Sequence, residues 1–96
     1  MIIHIALFGW KAGVSAQEIE KAMADVRALR SKIKGLHEIY CGENFSKWNE
    51  GYTHAVVVLA ADQSALQTYR DHPDHKEVAS RIDRMEAKSV GVDFSS

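Results

Sequence analysis

The chain holds one proline, one cysteine and no apolar run long enough to span a bilayer. Each scarcity removes a class of protein. A single thiol, Cys41, cannot staple a disulfide framework, so a packed core must carry stability and a reducing, cytoplasmic setting is expected. The opening "MIIHIALFGWK" is too short and too interrupted to read as a secretory leader or a spanning helix. Charge of one sign is also lacking: twelve basic residues against thirteen acidic ones leave a net charge of −1. That balance offers no broad basic face to nucleic acid or to an anionic membrane. Phosphate-loop, nucleophile-elbow and dinucleotide-binding patterns are missing, and no cofactor is expected.

What is present suits one globular domain over residues 1–96, with 46% hydrophobic and 26% charged residues. Residues 2–9, "IIHIALFG", are β-branched and aliphatic and predict a buried strand. A long helix follows, opened by the capping box Ser15/Glu18 with Val14 and Ile19 as its staple. Ile19, Ala22, Met23, Val26, Leu29, Arg30 and Ile33 fall on one stripe at helical spacing, and Gly35 is expected to close the helix. Strands are predicted over 36–42 and 52–60, separated by the polar stretch "ENFSKWNEG". Asp62 caps a second helix, Pro73 interrupts it and restarts a third, and residues 87–94 close as a last strand. The order β-α-β-β-α-β predicts a ferredoxin-like α+β subunit with a four-stranded antiparallel sheet and helices on one face.

Alternation divides the strands into two faces. Ile3, Ile5 and Leu7 share one side of the first strand, and Ile2, His4, Ala6 and Phe8 the other. In the third strand Ala55, Val57 and Leu59 oppose Tyr52, His54, Val56 and Val58, and the last strand presents Val90, Val92 and Phe94 together. Neither face is polar, yet helices can cover only one. An uncovered apolar sheet face predicts a two-fold homodimer, sheet packed on sheet. Trp10 and Trp48, near strand ends, are expected at the edge of that dimer. The basic residues Lys21, Arg27, Arg30, Lys32 and Lys34 of the first helix are expected to form a solvated face.

The stretch "TYRDHPDHKEV" (68–78) concentrates the candidate chemistry. His72 and His75 have the spacing of a ligand pair, but Pro73 places His72 at or before the helix start, so the two imidazoles need not converge on a metal. No metal site is expected. His75 falls at the third position of the restarted helix, where the positive end of the helix dipole favours a neutral ring. With Tyr69 as hydrogen-bond donor, such an imidazole can take a proton next to a carbonyl. The same residues also fit a purely structural joint, with His72 as a cap, His75 bonded to a backbone carbonyl and Tyr69 filling core space.

"MIIHIALF", "GYTHAVVV", "LQTYRDHPDHKEV" and "VGVDF" together resemble the stress-responsive α/β-barrel (Dabb) family over essentially the whole chain. The resemblance implies a ferredoxin-like subunit and a homodimer whose paired sheets form a barrel. One enzymatic member, olivetolic acid cyclase, closes a ring by aldol chemistry through a tyrosine and a histidine in the same Y-x-x-H-P-x-H pattern. Carried over, these roles fall on Tyr69 and His75, and its strand histidines fall on His4 and His54. Pocket positions map to Ala6, Phe8, Met23 and Val26, with Val56 on the His54 face. Ala22, Met23 and Val26 stand where the cyclase is aromatic, and Ser89 and Gly91 are small or polar, so the implied pocket differs in shape.

The expected function is a small apolar cavity that binds a hydrophobic or carbonyl compound, with proton transfer by His75 and Tyr69. The alternatives are a non-catalytic dimeric stress or interaction protein, or a cofactor-free monooxygenase.

Overall fold

A computed structural model describes all residues, Met1–Ser96. Strand β1 (Ile2–Trp10) is the chain's structural axis, because it is paired along both edges. On one side lies β3 (His54–Ala60), with Ile5 opposite Val57; on the other lies β4 (Glu86–Ser95), with Ile5 opposite Val92. Strand β2 (Leu36–Glu43) joins the free edge of β3, giving the order β2-β3-β1-β4 with every pair antiparallel. The helices are α1 (Ala16–Lys32), α2 (Gln63–Asp71) and α3 (Pro73–Met85). This is the ferredoxin-like arrangement the element order predicts.

Local chemistry sets the helix ends. Ser15 Oγ accepts the Glu18 N–H at 3.1 Å, which satisfies one of the orphan donors of α1. Asp62 does the same for Ala65 at 2.8 Å. The close of α1 differs from expectation. Its cap is Ile33, whose N–H reaches the Leu29 carbonyl, and Gly35 lies two residues further on. Gly35 has φ +87°, and a Cβ there would come within 2.7 Å of the Ala65 side chain. Its role is the turn into β2 and the close approach of α2.

Along α1 the residues Ala22, Met23, Val26 and Leu29 are buried, with Ile33 just beyond. Arg30 leaves the apolar stripe: it is exposed, bonds the His37 carbonyl at 3.2 Å and pairs with Glu38 at 3.0 Å. The first helix therefore presents its charges to solvent while its guanidinium staples it to the edge strand. Strand β3 starts at His54 rather than Tyr52, because the Tyr52 N–H turns back to the Asn49 carbonyl.

The sheet has a covered and an uncovered face. Ile2, Ile39, Val56, Val58 and Ala60 are buried beneath the helices. On the opposite face Ile3, Ile5, Leu7, Ala55, Val57 and Leu59 stay half-exposed in the single chain. Val90, Val92 and Phe94 of β4 are 40%, 46% and 45% exposed, and Tyr40 is 57% exposed. So continuous an apolar surface marks an interaction face.

Trp10 does not lie on that face. It stacks on Phe8 with ring centroids 5.4 Å apart and donates its Nε1–H to His54 Nδ1 at 2.9 Å. A register shift between Gly9 and Trp10 accompanies this placement, and the ring packs against the core. Trp48 is 75% exposed on the β2–β3 loop, with Lys47 Nζ 4.5 Å from its ring centre.

Candidate functional site

Among the hollows beside α3, two bear on the candidate site, and chemistry separates them. The groove between α1 and α3 is wide, about 530 Å³, but charged side chains line it. Asp25 and Arg81 pair across it at 2.6 Å, with Lys21 and Glu77 beside them. The second hollow, between α3 and the sheet, is about 90 Å³ and mostly apolar. His4, Ala6 and Phe8 form its floor from β1, and Val56 joins them from β3. Val26 of α1, Tyr69 of α2, and His75, Val78, Ala79, Ile82 and Asp83 of α3 form the walls.

Five of the seven side chains expected to line a pocket therefore do so: His4, Ala6, Phe8, Val26 and Val56. Met23 does not. It is 1% exposed and sealed in the core, because it faces the sheet one step around α1 from Val26. His54 does not either. Its Nδ1 is taken by the Trp10 N–H, and it sits opposite Phe8 at the far end of the sheet from His4. Ser89 and Gly91 lie beside Phe8 and Ala6 on β4, so no bulky side chain closes that flank.

The joint at Pro73 places the candidate acid–base pair. His72 ends α2 and caps α3, its Nδ1 accepting the Asp74 N–H at 3.1 Å. His75 turns the other way and bonds the Arg70 carbonyl through Nδ1 at 3.1 Å. A carbonyl only accepts, so Nδ1 carries the proton and Nε2 of the neutral ring keeps a lone pair. The acceptor is one of the orphan carbonyls at the end of α2. The two histidines of the motif thus serve different elements and share no ligand-binding direction.

Tyr69 lies between two imidazoles. Its ring centroid is 4.3 Å from that of His75 and 6.2 Å from that of His4. Burial pushes its phenol well above the usual range, and the nearby Cys41 thiol adds to this. Tyr69 is therefore a protonated hydrogen-bond donor at neutral pH, never a phenolate. Burial also lowers the His75 pKa, and the neighbouring His4 and Arg70 side chains lower it further, against the Arg70 carbonyl and Asp83. His75 is a neutral base near pH 7. Cys41, half-buried on β2, has its thiol pushed up to about 11 by burial and is an inert filler.

The lowered pKa of His75 has a consequence for stability. Above the ordinary imidazole value of 6.5, folded and unfolded chains both hold a neutral ring and the full stability is present. As pH falls below that value the unfolded chain takes up the proton first, so stability declines until the folded-state pKa is passed. Thermal melts between pH 8 and 5 should show this decline in the wild type. In His75→Asn, which keeps a donor for the Arg70 carbonyl, the decline should be shallower; equal slopes would contradict the assignment.

Two residues of the site carried no sequence signal. Asp93 of β4 accepts from His4 Nδ1 at 2.5 Å, and its other carboxylate oxygen is held by the Arg70 guanidinium. Burial alone would raise the Asp93 pKa, but hydrogen bonds from His4 and Arg70 outweigh it and hold the carboxyl below its usual range. Their pairing joins β1, α2 and β4, up to 89 positions apart in the chain.

Known proteins agree with this architecture. The chain is 30% identical over 79 residues to the stress-response A/B barrel domain-containing protein HS1 of Arabidopsis thaliana, covering 80% of this chain and 72% of that protein. A dimeric ferredoxin-like protein of unknown function from Thermobifida fusca superposes with a TM-score of 0.88 at 30% identity, over 99% of this chain and 90% of that one. The hydroxynitrile lyase of Passiflora edulis shares the fold, with a TM-score of 0.89 at 20% identity over 97% and 90% of the two chains. The model of the stress responsive A/B barrel domain matches residues 2–96, and the chain belongs to that family.

Proposed function

We propose that the protein is a homodimer, joined through the helix-free sheet face, whose subunits each bind a small carbonyl compound and move a proton on it. The observation that carries this reading is the convergence of Tyr69 and His75 on one apolar cavity, 4.3 Å apart. A carbonyl oxygen in the cavity accepts the Tyr69 hydroxyl proton in a hydrogen bond. The Nε2 lone pair of His75 removes the neighbouring C–H proton, and the resulting enolate is stabilised by the phenol. Low polarity around the site strengthens both interactions.

Size bounds the substrate. A cavity of about 90 Å³ is smaller than the roughly 150 Å³ that admits benzene, so short aliphatic aldehydes and ketones fit, and a long alkyl chain does not. The dimer reading is supported by the exposed apolar row Val90, Val92 and Phe94 and by the dimeric Thermobifida fusca relative. The single half-buried thiol suits a reducing, cytoplasmic setting.

A thermal-shift series with acetone, acetaldehyde and butanone tests binding. Wild-type protein should melt higher as ligand rises above its dissociation constant, by about 1.4 kcal/mol of stability at tenfold excess. Ala6→Leu fills the cavity floor; it should fold at least as well and lose the response. A response that survives Ala6→Leu unchanged, or none in the wild type, would remove the cavity from the account.

A further inference from the structure

We propose that Asp83 selects the ligand of this cavity: its carboxylate accepts a hydrogen bond from a small hydroxyketone or hydroxyaldehyde and turns keto acids away. This selection rests on the cavity reading above and names the substrate class that the cavity takes.

The placement follows from helix geometry. His75, Ala79 and Asp83 are four residues apart on α3, so they form one row on the same face, and all three line the hollow. Eight residues at 1.5 Å each put the two ends of that row about 12 Å apart along the axis. A helical side chain leans towards the N-terminus of its own helix, which carries the Asp83 carboxylate back over Ala79 towards His75. Ala79 is the small residue between them, and Val78, Ile82, Ala6 and Val56 keep the middle of the hollow apolar. The cavity therefore has a phenol and an imidazole at one end and a carboxylate at the other.

Asp83 differs from the other polar groups of the lining in having no partner. His4 is bonded to Asp93, and His75 to the Arg70 carbonyl. The ion pairs of the chain engage Asp25, Glu38, Asp74, Glu77 and Asp93, never Asp83. Its sequence neighbour Arg84 reaches back one turn to Ser80 Oγ at 3.1 Å. Asp83 is exposed, so water satisfies it in the free protein and a ligand donor can replace that water. Its charge also reaches His75, with no paired cation to cancel it.

A ligand whose carbonyl oxygen meets Tyr69 extends its far end over Ala79. A hydroxyl there donates to the carboxylate, and such a charge-assisted bond is stronger than one between neutral groups. A methyl group at the same place gains nothing from Asp83. A second carboxylate meets a like charge beside apolar walls, where repulsion is less screened than in water. Exposure of Asp83 keeps each effect modest.

Three compounds sharing the CH3–CO–CH2 unit test this: 4-hydroxybutan-2-one, butanone and acetoacetate. Their dissociation constants are read from amide ¹H–¹⁵N shifts at neutral pH and low salt, and the same spectra report the folding of each variant. The wild type should bind 4-hydroxybutan-2-one about five- to tenfold tighter than butanone, and acetoacetate about fivefold more weakly than butanone. Salt at about 0.5 M should narrow the gap between acetoacetate and butanone. In Asp83→Ala the three should fall within about threefold of one another, and in Asp83→Lys acetoacetate should become the tightest. Equal affinities in the wild type, or a ranking that Asp83→Lys leaves unchanged, would overturn the role of Asp83 while leaving the cavity standing. Binding of none of the three would remove the cavity reading, and the selection with it.

Discussion

Replacing His75 by asparagine should slow α-proton exchange of a small ketone by about 10²–10⁴-fold, the usual worth of one positioned acid–base group. Asparagine is the informative choice because its amide nitrogen can still donate to the Arg70 carbonyl, the bond that seats the ring at 3.1 Å. The joint at Pro73 should then survive, and only the Nε2 lone pair is lost. Tyr69→Phe tests the other half of the pair. It removes the donor to the carbonyl oxygen, keeps the buried ring, and should cost a similar factor. If exchange in both variants were as fast as in the wild type, the two side chains would be packing residues with no chemical role. Proton exchange followed by ¹H NMR, with melting temperatures of the same samples, separates these outcomes.

The second large effect concerns assembly. Val57 sits at the middle of the helix-free face, opposite Ile5 on one side and Tyr40 on the other. In the proposed dimer Val57→Asp buries an unpaired carboxylate in each subunit. An uncompensated buried charge costs about 3–5 kcal/mol. Two copies meet across a two-fold axis, so the dissociation constant should rise by about four orders of magnitude or more. The helix-covered core is on the opposite face, so the monomer should keep its helical spectrum. Sedimentation velocity at micromolar protein should show a dimer for the wild type and a monomer for Val57→Asp. A wild-type monomer would mean that something other than a second copy covers Val90, Val92 and Phe94.

What the sequence made legible were patterns that one stretch carries by itself. The capping box at Ser15 and Glu18, the restart at Pro73 and the alternation of Ile3, Ile5 and Leu7 against His4, Ala6 and Phe8 all depend on residues a few positions apart. They were enough for the element order, the two sheet faces and the inequality of His72 and His75. Long-range pairing was not legible. Nothing near Asp93 in "VGVDF" announces that β4 runs beside β1 in a register that sets it against His4. Likewise the first helix reads as one apolar stripe, and only packing shows that Val26 meets the cavity while Met23 meets the core. Trp10 escaped for a related reason. Its hydrogen bond to His54 spans 44 positions, and the register shift beside it has no local signature.

Two histidines in one cavity are compatible with a stable fold. Each imidazole that enters it is tied at Nδ1 to a group of a different element, Arg70 of α2 or Asp93 of β4. Those bonds satisfy one ring nitrogen of each half-buried histidine and fix its direction, and they join α3 to α2 and β1 to β4.

The cavity beside Tyr69 and His75 is proposed to move protons on its ligand. Deuterium incorporation into acetone in D2O, with wild-type protein and His75→Asn compared at equal concentration, tests it most directly. Incorporation should be faster than in buffer for the wild type and should fall to the buffer rate for the variant. Wild-type incorporation no faster than that of His75→Asn would contradict it.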